Sequence, residues 1–255
     1  MDPIRIGARG SKLSLTQAGQ VQRVIAAALG AEPAEAERVA PVVVISTTGD
    51  RVQDRRLTEL GGKAMFTKEI EDALIAGRVD CAVHSLKDVP IARQPGLLLA
   101  AVTEREDPRD AFLSPGFASL EDLPHGARLG GASIRRQAQA QFRRPDLNYV
   151  LVRGNVDTRL AKLAAGDADA MIVALAGLNR LGLADRIRYA LDPIEYPPAP
   201  GQGALAIETR AADAGAAWVK ALNHAPTALA VAAERGALEA LEGSCRTAMG
   251  AYAWL

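Results

Sequence analysis

Along this chain, short apolar runs rich in β-branched residues alternate with segments of helical period. That alternation restricts the fold to βα units around a mostly parallel sheet. The first series opens with Ile4-Arg5-Ile6 and turns at Ala8-Arg9-Gly10-Ser11. It then enters a helix whose Ala18, Val21, Ile25, Ala28 and Leu29 share one face until Gly30 ends it. A second strand, Pro41 to Ser46, opens into the polar loop Thr47-Thr48-Gly49-Asp50-Arg51. A further helix takes Thr67 as N-cap, places Glu69, Glu71 and Asp72 in its first turn and stops at Gly77. The strands Cys81-Ala82-Val83 and Leu97 to Val102 follow.

At Thr103 to Asp110 the sequence turns abruptly polar before the apolar Ala111-Phe112-Leu113, which reads as a crossing between domains. A second βα series then fills Arg128 to Leu191: a strand to Gly130, a helix from Ser133, a strand Tyr149 to Val152, a helix Val156 to Ala165, a strand Ala170 to Ala174 and a helix to Leu183. The proline-rich stretch Pro193 to Pro200 closes it. Gly201-Gln202-Gly203 then leads into Ala204-Leu205-Ala206-Ile207, a strand expected to return to the first domain. The expected organisation is therefore lobe 1 from 1–103 and 204–221, lobe 2 from 108–198, and a C-terminal domain from 224–255. Two crossings imply a hinged cleft.

With 255 residues, 49% of them hydrophobic, the chain can build two compact cores. Its two cysteines, Cys81 and Cys245, lie far apart and lack C-x-x-C spacing, so a disulfide framework is not expected and a reducing compartment is. The first fifteen residues have no hydrophobic core segment, and the apolar runs fall short of a membrane span. A cytoplasmic protein without membrane contact is expected. Thirty basic residues balance thirty acidic ones, which removes the broad electrostatic case for nucleic acid and makes any anion site a local one.

In open α/β sheets ligands sit beyond the carboxyl ends of the strands. The residues there are Arg9 and Ser11, Asp50, His84-Ser85-Leu86-Lys87-Asp88, Ser133 with Arg135 and Arg136, Arg153, and Arg180 in the last helix of the second series. A single arginine of this kind is ordinarily a solvated surface cation. Several at one end of two sheets imply a substrate with several carboxylates, which guanidinium forks match bidentately. Arg135 and Arg136 also stand at a helix start, where free N–H groups attract anions. Asp88 on its spacing is a turn residue or a helix cap; in an arginine-lined cleft its carboxylate can instead stabilise a cation and exchange protons with it. His84 has no second ligand nearby and reads as structural, so no metal is assigned. Cys81, inside an apolar strand, reads as a small hydrophobe, whereas Cys245 lies beside a glycine and Arg246, which favours the thiolate. Gly61-Gly62-Lys63 is not a nucleotide loop, because position 57 is leucine and position 64 alanine.

Several ordered segments carry a resemblance: Arg9 to Leu13, Gly61-Gly62-Lys63 with Phe66, Val83 to Pro90, Arg105 to Phe112, Ser133 to Gln137, Arg153-Gly154-Asn155-Val156, Ala176 to Leu183, Gly201 to Ala204 and Leu241 to Cys245. On them the chain resembles the hydroxymethylbilane synthase (porphobilinogen deaminase) family along nearly its whole length. The resemblance implies two lobes like type II periplasmic binding proteins and a small α+β third domain. It implies a dipyrromethane cofactor held by a thioether on Cys245, onto which four porphobilinogen molecules are added with loss of ammonia before water releases hydroxymethylbilane. Carried over by motif, Asp88 is the catalytic carboxylate. Arg9, Ser11, Lys87, Ser133, Arg135, Arg136, Arg153 and Arg159 look like cofactor or substrate contacts, with Gln17, Lys63, Phe66 and Arg180 as further ones.

The chemistry agrees with that assignment. Loss of ammonia leaves an azafulvenium ion that needs a carboxylate nearby, and each added ring brings two more carboxylates to be paired. Three departures from the family pattern stand out. Gly131-Ala132 replaces a Thr-Ser pair and removes two hydroxyl donors, which predicts a weaker grip there. Glu59 reverses a lysine charge near the Gly61 loop. The chain stops at Leu255, just after an expected strand Ala248 to Trp254, so the third domain is expected to be incomplete and that strand to present an open edge. A monomer is expected, with that edge as the place where another chain pairs or the segment opens. The rival readings are a non-enzymatic carboxylate-binding protein on the same scaffold and an inactive member of the family.

Overall fold

The computed structural model describes residues 2–51, 67–244 and 247–255. Lys63, Phe66, Glu59 and Cys245 lie outside the described residues. The first series forms β1 (Ile6–Ala8), α1 (Lys12–Ala28), α2 (Ala36–Val39), β2 (Val42–Val44), α3 (Thr48–Arg51), α4 (Lys68–Ile75), β3 (Cys81–Ser85) and β4 (Leu97–Val102). The second forms β5 (Asp110–Leu113), β6 (Arg128–Gly131), α5 (Ile134–Arg143), β7 (Asn148–Leu151), α6 (Val156–Ala164), β8 (Ala170–Ala174), α7 (Leu175–Arg180) and β9 (Tyr189–Ala190). β10 (Leu205–Arg210), α8 (Ala217–Lys220) and α9 (Ala225–Ala240) complete the order.

Among the described residues the strands make two five-stranded sheets, β2-β1-β3-β10-β4 and β7-β6-β8-β5-β9. The βα units give the parallel pairs: β1 with β2 and β3, and β6 with β7 and β8. The two strands that follow a crossing run against their neighbours. β5 is antiparallel to β8 and β9, and β10 returns to the first sheet antiparallel to β3 and β4. Each sheet buries its own core. Ile6, Val21, Ile25, Leu205, Ile207 and Trp218 pack in the first, and Phe112, Leu120, Leu129 and Ile172 in the second, each large aliphatic contributing ~1.5–3 kcal/mol by burial.

The helix ends explain where the elements stop. Ser11 caps α1 by accepting from the Ser14 N–H at 3.3 Å, and Gly30, at φ +72°, ends the helix. The buried face runs through Gln17, Ala18, Val21, Ile25 and Ala26; Ala28 is exposed, because the sheet contact ends one turn earlier than the apolar pattern. Thr67 takes the N-cap position of α4, but its buried hydroxyl caps nothing. Glu69 instead accepts from the Thr48 N–H at 2.8 Å and the Thr48 hydroxyl at 2.5 Å. That carboxylate gives Thr48–Arg51 a helical start, so the segment expected to be a polar loop is a turn of helix.

The two crossings lie side by side. Thr103 N donates to Leu205 O at 3.1 Å and Glu106 N to Gly203 O at 3.2 Å. Gly203 sits at φ +91°, and a Cβ there would run into the Glu106 carbonyl, so only glycine allows this approach. Glu234 of α9, fully buried, holds both crossings: Arg105 of the first donates to it at 2.7 and 3.1 Å, and the Gly201 N–H of the second at 2.7 Å.

The expected strand Ala248 to Trp254 is absent. Among the described residues, 225–255 hold helix α9 and no strand, so the expected α+β character of this region is not seen. The alternation of small and aromatic residues there reflects packing rather than pairing. Gly250 lies against Pro197, the Ala251 N–H donates to Pro198 O at 2.9 Å, and the Ala253 N–H to Glu234 Oε1 at 2.9 Å. With the Ala251 and Ala253 amides taken up by a loop carbonyl and a carboxylate, the segment does not form the strand edge expected of it.

Candidate active site

A cavity of about 650 Å³ opens at the strand ends of both sheets. From the first sheet, Arg9, Ser11 and Gln17 reach it after β1, and Ser85, Lys87 and Asp88 after β3. From the second, Ser133, Arg135 and Arg136 reach it at the start of α5, Arg153 and Arg159 around the start of α6, and Arg180 from α7. Arg235 and Leu238 of α9, with Ser244, Thr247 and Met249, supply a third wall. Every described residue expected in the site is thus brought to one space.

The two serines serve as helix caps: Ser11 for α1, and Ser133 for α5, where it accepts from the Arg136 N–H at 3.4 Å. Gln17 Nε2 donates to Ser85 Oγ at 3.1 Å, joining α1 to the end of β3. Asp88 ends a short 3-10 turn, Leu86–Asp88, and is exposed to the cavity. No hydrogen bond or ion pair from the described residues occupies its carboxylate.

Beneath that lip lies a buried charged network. Asp110, buried at the start of β5, accepts from Arg135 Nη1 at 2.8 Å and from Arg136 Nε and Nη2 at 3.1 and 2.8 Å. Burial opposes its ionisation, but the charges of Arg136 and Arg135 more than offset this and hold the carboxyl well below the usual range. Gln202, from the second crossing, completes the network. Its Nε2 donates to Asp110 at 2.8 Å and to Pro108 O at 2.7 Å, while its Oε1 accepts from Lys87 at 3.1 Å and Arg136 at 3.3 Å. The sequence alone assigns no role to Asp110 or Gln202. The polar run Thr103 to Asp110 conceals which of its acids faces inward, and the only signal was that two adjacent arginines at a helix start need a counter-ion if buried.

The remaining cations are less occupied. Desolvation first, then the nearby Arg136 charge, pulls the Lys87 ammonium down to about 8, with Asp88 pulling it back up. Burial and Arg136 also lower Arg159, whose Nε donates to Gly154 O at 2.9 Å. Arg180 spends one nitrogen on Gly203 O at 2.7 Å. Arg153 keeps Nη1 buried with no partner among the described residues. A buried guanidinium nitrogen left unmatched costs free energy that an incoming carboxylate removes, so this donor set fits a group carrying several carboxylates, as dipyrromethane does. His84 is structural: its Nε2 lies 3.0 Å from the buried Glu208, which also binds Arg93 at 2.5 Å. Cys81 is a free, fully buried thiol that burial pushes up, so it is not nucleophilic.

Comparison with known proteins agrees with this geometry. The solved structure of the methionine-binding protein MetQ covers 99% of this chain and 98% of its own at a TM-score of 0.54 and 14% identity. A periplasmic substrate-binding protein of an ABC transporter from Coxiella burnetii covers 92% and 96% at 0.51 and 16%. These likenesses show the fold, two lobes of the type II periplasmic binding kind. Residues 4–217 match the family model "Porphobilinogen deaminase, dipyromethane cofactor binding domain". The porphobilinogen deaminase of Phenylobacterium zucineum is 66% identical over 255 residues, 99% of this chain and 80% of the relative. The chain belongs to the porphobilinogen deaminase family.

Proposed function

We propose that the protein is a hydroxymethylbilane synthase, a transferase that condenses porphobilinogen stepwise into a linear tetrapyrrole with release of ammonia. The observation that carries this reading is the pairing, in one cavity, of the Asp88 carboxylate with a set of cations that includes Arg153, neither the carboxylate nor Arg153 Nη1 having a partner among the described residues. Lys87, Arg136, Arg153 and Arg159 bind the acetate and propionate groups. Asp88 faces the aminomethyl carbon, stabilises the positive charge that develops as ammonia leaves, and takes the proton that the attacking ring gives up. Each addition forms one carbon–carbon bond and expels one ammonia. Dipyrromethane would be held by a thioether to Cys245 with its carboxylates on these cations, and it would supply the free pyrrole end for the first addition. The arginines spread over both walls receive the further carboxylates as the product lengthens, and the paired crossings at Gly203 form the hinge that widens the space. The same reading has the enzyme act in the cytoplasm as a monomer.

The test is intact mass and porphobilinogen turnover of the protein and of its Cys245→Ser variant. The unsubstituted protein is expected to carry two linked pyrrole rings and to turn over. The variant is expected to fold, lack the adduct and be inactive, since a hydroxyl is a far poorer nucleophile than a thiolate. An unmodified Cys245 in a protein that binds porphobilinogen without turnover makes it a binding protein, and an adduct on Cys81 removes Cys245 from its role.

A further inference from the structure

β6 and β7 run parallel with Leu129 opposite Tyr149 and Gly131 opposite Leu151. The Tyr149 ring packs against the core of the second sheet, and its hydroxyl rises to the edge of the cleft, where it donates to the Ser133 carbonyl at 3.2 Å. A Cβ built on Gly131 would fall on that hydroxyl oxygen and come within 2.9 Å of the ring carbon bearing it. Position 131 is therefore a glycine because the space of its side chain is already filled from the next strand.

We infer that Tyr149 is a positioning residue for the anion-binding wall, its hydroxyl standing where a side chain at position 131 would stand and clamping the start of α5. The Ser133 carbonyl takes two donors, the Tyr149 hydroxyl and the Gln137 N–H at 3.0 Å. The Ser133 hydroxyl caps Arg136, and the Arg136 guanidinium runs on to Asp110 and Gln202. Tyr149 does not line the cavity; it acts through Ser133 and Arg136, which do. Burial pushes the phenol up although Arg136 pulls it down, so it keeps its proton and remains a donor. The weaker grip expected from Gly131-Ala132 is thereby offset from behind, by holding Ser133 and Arg136 in place rather than by a donor to the ligand.

This inference rests on the cleft being the porphobilinogen site, and its test separates the two. Tyr149→Phe removes only the O–H. It is expected to raise KM for porphobilinogen about three- to tenfold, the worth of one hydrogen bond, with kcat within about twofold. Gly131→Ser is expected to lower the melting temperature beside Tyr149 and to be tolerated in the Tyr149→Val background, where the new hydroxyl restores KM. This melting cycle needs no substrate. Normal turnover with additive melting effects, or a Tyr149→Phe variant whose KM is unchanged, overturns the role of Tyr149 alone. A fall shared equally by kcat and melting temperature reduces it to packing and overturns it too. Absence of turnover in the unsubstituted protein overturns the reading of the cleft, and this inference with it.

Discussion

Two aspartates stand at the strand ends of this cleft, and their surroundings are opposite. Asp110 is buried, gripped by two guanidinium groups and the Gln202 amide. Asp88 faces the cavity with its carboxylate unoccupied by the described residues. The arginines divide the same way: Arg135 and Arg136 both pair with Asp110, whereas Arg153 keeps a buried nitrogen without a partner among the described residues. Charge alone does not identify a working residue. A buried group whose hydrogen-bonding capacity is filled by its own chain maintains shape, and one left with capacity to spare is placed for a ligand.

The largest effect is expected at the open carboxylate. Asp88→Asn should lower turnover by ~10²–10⁴-fold through lost proton transfer alone, with the melting temperature little changed because no hydrogen bond among the described residues is lost. Steady-state product formation within about threefold of the unsubstituted protein would remove Asp88 from the chemistry. Asp110→Asn should do the converse, costing ~3–5 kcal/mol of stability because two buried guanidinium groups lose their counter-ion. Urea denaturation reads it, and a midpoint that does not move would erase the contrast between the two aspartates. Since the folded protein holds Asp110 below the usual carboxyl range, this stability is present above the unfolded value of about 3.9 and is lost as pH falls through the folded value.

Among the cations, Arg153→Met should weaken porphobilinogen binding by ~1.5–3 kcal/mol while leaving stability equal or higher, since an unmatched buried donor is removed. Calorimetric binding beside thermal melting separates the two, and a large loss of stability would place Arg153 with the arginines that pair with Asp110. The smallest effect concerns Lys87. Its ammonium is lowered to about 8, and a bound carboxylate favours the charged form, so KM should rise as pH passes from 7 to 9 and flatten in Lys87→Arg. A flat KM across that range in the unsubstituted protein would mean that Lys87 does not meet the substrate's carboxylates.

Much of this was legible in the residues. Gly30 and Gly77 end helices where the apolar period stops, the polar run after Val102 leaves the first sheet, and β10 returns to it. Placement at strand ends is enough to gather Arg9, Lys87, Asp88, Arg153 and Arg180 around one space, whereas Arg159 comes only from the family resemblance. What was hidden depends on partners distant in sequence. Asp110 and Arg135 are 25 residues apart, and nothing local says that they meet. Thr48–Arg51 starts as a helix because Glu69, 21 residues on, caps it. Ala248 to Trp254 has the alternation of a strand, but a strand needs a neighbouring strand, and the one nearby carbonyl that meets the Ala251 amide belongs to Pro198 in a loop.

The buried carboxylate of Glu234 sets how far a disturbance travels. It accepts from Arg105, Gly201 and Ala253 at once, and Arg105 Nε donates in turn to the Gln202 carbonyl at 2.8 Å. From the amide of Ala253 to the residue that steadies Lys87 and Arg136, the route is only two side chains long. Segment 250–253 is thus wired to the cavity wall without touching it, and a change of sequence there alters the alignment of cations that lie beyond its own reach.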